Sequence, residues 1–157
     1  MKKILLLLLT LVVLPLSVSA DEKQEALDFF NSYVEGANNY SPAIAEMYSP
    51  NAKIIRQVVK PDGTTANATT DTATYIKQMK IGQAGAKLRK YKNNYSNITV
   101  VPVEGGYKVS SLRQPSGENY KLKTYMVVKK QPNGKWLITE EMMQTKVQTF
   151  LRYADKQ

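Results

Sequence analysis

Three turn tripeptides cut the chain between Tyr95 and Met143: Glu104-Gly105-Gly106, Pro115-Ser116-Gly117 and Pro132-Asn133-Gly134. Gly and Asn accept the positive φ that tight turns need, and Pro presets the bend. The segments between them, 98–103, 107–114, 120–130 and 136–143, have strand length and carry β-branched and aromatic residues. Turns this short join antiparallel neighbours. In the third segment Leu122, Thr124, Met126 and Val128 alternate with Lys121, Lys123, Tyr125 and Lys129. That is the pattern of a sheet with one packed face and one wet face. The wet-faced meander needs a cover for its apolar side, and the first half of the chain must supply it.

That half reads as helices around one hairpin. Asp21 is placed to cap a helix, with Gln24 three residues on to answer it. Ala26, Leu27, Phe30, Tyr33, Val34 and Ala37 then recur at helical spacing until Gly36 breaks the pattern. Ser41 and Pro42 open a second, shorter helix with Ala43, Ile44, Met47 and Tyr48 on its apolar side; Pro50 ends it. Residues 53–60 form a strand that turns at Pro61-Asp62-Gly63 and returns over 64–69. Asp71 caps a third helix bearing Tyr75, Ile76 and Met79, which Gly82 and Gly85 weaken. Val147, Phe150 and Leu151 suit a short helix in the tail. Helices and strands segregate along the chain, so the expected class is α+β, a curved antiparallel sheet wrapped around N-terminal helices.

Residues 1–20 have the layout of a signal peptide. Lys2 and Lys3 start it, an apolar run follows, Pro15 interrupts, and Val18-Ser19-Ala20 offers a cleavage site. The expectation is cleavage after Ala20, a periplasmic or secreted destination, and one domain over 21–157. The chain has no Cys and no His, and a net charge of +9. Disulfides, the usual zinc ligand sets and Ser-His-Asp or Cys-His catalysis are therefore excluded. No cofactor is expected.

The opening helix Ala26-Leu27-Asp28-Phe29-Phe30-Asn31-Ser32-Tyr33-Val34, the segment Met47-Tyr48-Ser49-Pro50-Asn51-Ala52 and the ending Asn133-Gly134-Lys135-Trp136-Leu137-Ile138 resemble the nuclear transport factor 2-like superfamily. The superfamily includes ketosteroid isomerases, polyketide cyclases and many secreted proteins. The resemblance implies a cone whose open end takes an apolar or amphipathic small molecule, and a homodimer formed through the outer sheet face. It also implies where an isomerase's groups would stand. Tyr33 falls at the helix tyrosine, but the base position falls at or beside Arg56 and the oxyanion acid at Met126. Arginine cannot act as a base at neutral pH, and a thioether donates no hydrogen bond. Isomerase activity is not expected, and cyclase-like chemistry lacks its His. The residues left to line a pocket are Tyr33, Arg56, Met126 and Glu140. Because Glu140 shares parity with Trp136 and Ile138, an Arg56–Glu140 pair is expected inside the sheet.

From Thr72 to Val103 there is no acidic residue, while Lys77, Lys80, Lys87, Arg89, Lys90 and Lys92 supply positive charge among Tyr75, Tyr91 and Tyr95. This segment suits an anionic partner, a membrane surface or an acidic protein; nucleic acid is not expected at an exported address. The leading expectation is an exported, non-catalytic binding protein for a small apolar or amphipathic ligand, anionic where Arg56 anchors it. The alternatives are a dimeric interaction module working through segment 72–103, and an enzyme of unrecognised mechanism.

Overall fold

The structure, a computed structural model, describes residues 17–156. The expected signal peptide, but for its last four residues, lies outside them. Helix α1 (Ser17–Asn38) leads through a 3-10 turn (Pro42–Met47) into strand β1 (Tyr48–Val59) and its hairpin partner β2 (Thr65–Thr70). Helix α2 (Thr72–Leu88) follows, then β3 (Asn93–Val103), β4 (Gly106–Pro115), β5 (Leu122–Lys130) and β6 (Trp136–Thr145). A second 3-10 turn (Gln148–Tyr153) closes the chain. The fold is the α+β one read from the sequence: a curved, unclosed sheet of order β2-β1-β6-β5-β4-β3 with the N-terminal helices against it.

Four of the strand pairings are antiparallel, and β1 lies parallel to β6. The turn tripeptides dictate the antiparallel pairs. No turn links β1 to β6, so their direction was free of that rule. Three boundaries differ from the sequence expectation. Asp21 sits inside α1 rather than capping it. Tyr48 begins β1 instead of ending the second helix, which is a single short 3-10 element. Helix α2 runs through Gly82 and Gly85 to Leu88. Its start is secured by Asp71, which accepts hydrogen bonds from the Thr74 backbone N–H (2.8 Å) and hydroxyl (2.8 Å). That cap, with Tyr75 and Met79 packed on the core, offsets two glycines that each cost about 1 kcal/mol relative to alanine.

The core fills the closed end of the cone. Ala26, Phe30 and Tyr33 of α1 lie over Tyr107 and Val109 of β4, Met126 and Val128 of β5, and Trp136 and Ile138 of β6. Burying Phe30 fully contributes about 2–3 kcal/mol. Glu25 fixes α1 to the last hairpin, accepting from the Trp136 indole N–H (2.9 Å) and pairing with Lys130 (2.8 Å). The ladders slip register at three places, the first between Tyr48 and Lys53 where β1 pairs with β6. On β3, Asn97 takes φ 53° where the register against β4 slips between Ser96 and Thr99. On β6, Val127 faces Glu140 while Val128 faces Ile138, which leaves Thr139 as the extra residue. Bulges reset which face a strand's side chains occupy, and this one decides the site.

Candidate ligand-binding site

Beyond the packed end, the cone encloses a cavity of about 690 Å³. Tyr33, Ala37 and Asn38 of α1 form one wall. The inner face of α2, Tyr75, Met79, Gly82, Gln83 and Ala86, lies across another. The sheet contributes Arg56, Tyr95, Arg113, Met143 and Thr145, and the C-terminal turn adds Phe150 and Tyr153. The tail is held by Asp155, which accepts from the Thr69 hydroxyl (2.6 Å) and backbone N–H (3.0 Å) of β2. Among the described residues, no acidic side chain lines the cavity.

Glu141 lies beneath this space, fully buried. Arg56 donates to one of its oxygens at 2.9 Å and the Tyr48 hydroxyl donates to the other. The Arg56 guanidinium also stacks 4.9 Å from the centre of the Tyr75 ring. Burial opposes the charge on Arg56, but Tyr75 and Glu141 outweigh it and hold the guanidinium firmly protonated. Burial pushes the Tyr33 and Tyr48 hydroxyls well above the usual phenol value, and the Glu141 charge adds to this. Tyr75 is raised by the same two causes in the same order. These phenols are therefore neutral donors. A carboxylate with both oxygens engaged and no exposed surface cannot reach a bound molecule, so this cluster braces the wall.

The four residues expected in the pocket separate. Tyr33 and Arg56 line the cavity. Met126 lies in the core at the closed end and is absent from the lining. Glu140 is on the opposite face of the sheet, where it accepts from the Tyr125 hydroxyl at 2.6 Å. The partner of Arg56 is Glu141 and not Glu140, because the Thr139 bulge shifts β6 by one residue and exchanges its faces. The six basic residues of the anionic-partner segment are all exposed along α2 and just beyond it.

Sequence reading missed Arg113, 7% exposed, at the open end of β4. The parity of β4 carried the signal. Tyr107, Val109, Ser111 and Arg113 alternate with half-exposed neighbours, which puts an arginine on the core face. Tyr75, Tyr91 and Tyr95, read as part of a basic patch, turn inward instead.

This architecture recurs among solved structures. A protein of unknown function from Pseudomonas putida, described as nuclear transport factor 2-like, superposes with TM-score 0.63 at 11% identity, covering 80% of this chain and 87% of that one. Nuclear transport factor 2 from Cryptosporidium parvum matches with TM-score 0.58 at 12% identity, covering 79% and 94%. The chain has the nuclear transport factor 2-like fold. A candidate ketosteroid isomerase from Shewanella frigidimarina shares that fold at TM-score 0.54 and 16% identity, covering 74% and 91%. No family model and no curated protein matches the sequence. Nuclear transport factor 2-like proteins with such distant sequences share the cone and not necessarily its chemistry.

Proposed function

We propose that this chain is an exported protein that holds a small apolar or amphipathic molecule in the cone. The observation that carries this reading is the cavity itself. At about 690 Å³, with tyrosines, Met79, Met143 and Phe150 in its walls beside Asn, Gln and Thr side chains, it falls in the range of small-molecule sites. The signal-peptide layout of residues 1–20 supports export. Native mass spectrometry of protein purified gently from a periplasmic extract tests the reading, with the denatured mass as control. An extra mass that is lost on denaturation is the expected result. A bare mass, with no uptake of apolar probes, would sink it.

One observation favours a second reading, an interaction surface on α2. Ile81 and Leu88 protrude, 74% and 86% exposed, on the same helix as Lys77, Lys80 and Lys87. Apolar residues flanked by cations are the makings of a surface that docks on anionic headgroups. Sedimentation with phosphatidylglycerol vesicles, but not with phosphatidylcholine vesicles, is the expected outcome. The Ile81→Ser/Leu88→Ser protein should lose most of it. Equal recovery with both vesicle types would remove this reading.

A further inference from the structure

We propose that Arg113 is the anchor for an anionic headgroup, so that the molecule held in the cone is a carboxylate-bearing amphiphile. The inference rests on the ligand-binding reading and adds the ligand's charge and orientation to it.

Arg113 lines the cavity and is all but buried. Its partners are neutral without exception. Nη1 donates to Asn93 Oδ1 (2.9 Å) and to the Tyr91 hydroxyl (3.3 Å), and Nη2 donates to the Gln144 carbonyl (2.7 Å). Nε has no partner. These contacts hold the guanidinium in place without cancelling its charge. A buried cation is costly unless a counter-charge meets it. Among the described residues the salt bridges are Arg56–Glu141 and Lys130–Glu25, so Arg113 has none. Glu141 cannot serve, because Arg56 and Tyr48 already occupy its oxygens. Among the described residues no acid lines the cavity, so a molecule entering it is the available source of the counter-charge.

The surroundings are built to position the group. Asn93 is locked from behind by Asn38, which donates to its carbonyl and accepts from its N–H, both at 2.9 Å. Tyr40, two residues along from Asn38, also lines the cavity, and its buried hydroxyl has no partner. Three of the five guanidinium donors are engaged, and the N–H groups left on Nε and Nη2 suit a carboxylate. Arg56 differs in kind, since its charge is already spent on Glu141. Ile44, Met79, Met143 and Phe150 give the wall apolar surface for the ligand's chain, alongside Thr and Gln side chains. Headgroup at Arg113 and chain toward Met79 and Phe150 is the resulting orientation.

The test compares decanoate with decan-1-ol, which has the same chain and no charge. Each is titrated as a competitor of the neutral fluorophore N-phenyl-1-naphthylamine bound to the full mature protein. The expected result is decanoate binding about ten-fold or more tighter than decanol. In Arg113→Gln that preference should vanish while decanol affinity stays within about two-fold. Equal wild-type affinities would overturn the assignment of Arg113 and leave the cavity reading standing. Failure of all three probes to bind would overturn both. Should Arg113→Gln not fold, the wild-type preference still decides, and Asn93→Leu, which loosens the fork without removing the charge, should reduce it. A preference retained in full by a folded Arg113→Gln protein would also overturn the proposal.

Discussion

Glu141 and Glu140 are adjacent, chemically identical and opposite in consequence. Glu141 has no exposed surface and matches the buried charge of Arg56, which is itself only 16% exposed. Removing one member of such a pair leaves the other uncompensated, at a cost of about 3–5 kcal/mol. Glu141→Ala should therefore lower the melting temperature by more than 10 °C or prevent folding. Glu140→Ala loses only a hydrogen bond from Tyr125 on the wetter face, worth about 1 kcal/mol. Thermal denaturation of the two variants side by side checks this, and equal losses would mean that the Thr139 bulge is misplaced. Residue type along β6 is silent on the matter. Trp136, Ile138 and Glu140 share parity, and nothing in the order of side chains announces the extra residue that breaks it.

At the scale of elements, the meander is held by close approaches as much as by turns. Gly106 starts β4 directly after the turn, where a Cβ would stand 2.1 Å from the Val128 carbonyl oxygen of β5. Backbone cannot retreat from that contact without opening the β4–β5 ladder. Gly106→Ala should destabilise the protein by about 2–3 kcal/mol, read as a lower urea midpoint at unchanged slope. Helix α2 is different. Gly82 faces open space, so the end expected at the glycines was a matter of propensity alone, and the Asp71 cap with tertiary packing overrode it. The strands were legible because alternation and turn chemistry are local. The inward set on β5, Leu122, Thr124, Met126 and Val128, is buried as its alternation required.

At the scale of the whole molecule, α1, β1 and α2 bring Tyr33, Tyr48 and Tyr75 into one cluster. Tyr33 and Tyr48 are raised well above the usual phenol value, and Tyr75 is raised too, with burial the largest cause for each. A group whose pKa is higher in the folded state stabilises the fold fully below the unfolded value, here about 10, and loses that contribution as pH climbs toward the raised one. Stability should thus be flat through neutral pH with respect to these groups and fall above about pH 10. Absorbance of phenolate near 295 nm should appear in two stages, the exposed tyrosines first and the buried ones together with unfolding. A single early transition in the folded protein would mean that the cluster is open to water.

What the sequence determined by itself was most of what near neighbours carry: the strand meander, the caps at Ser41 and Asp71, the α+β class and the exclusion of His and Cys chemistry. A basic stretch on α2 was legible for the same reason, since exposure of a charge is the default that needs no partner. The site was legible only in part. Tyr33 and Arg56, placed through the family resemblance, line the cavity, whereas the pairing of Arg56 with Glu141 crosses from β1 to β6 and depends on a one-residue slip. Arg113 is unremarkable in sequence. It stands out only when the folded sheet buries it beside Asn93 and Tyr91 with no salt bridge among the described residues, because whether a charge is compensated is a property of three-dimensional surroundings and not of the chain's order.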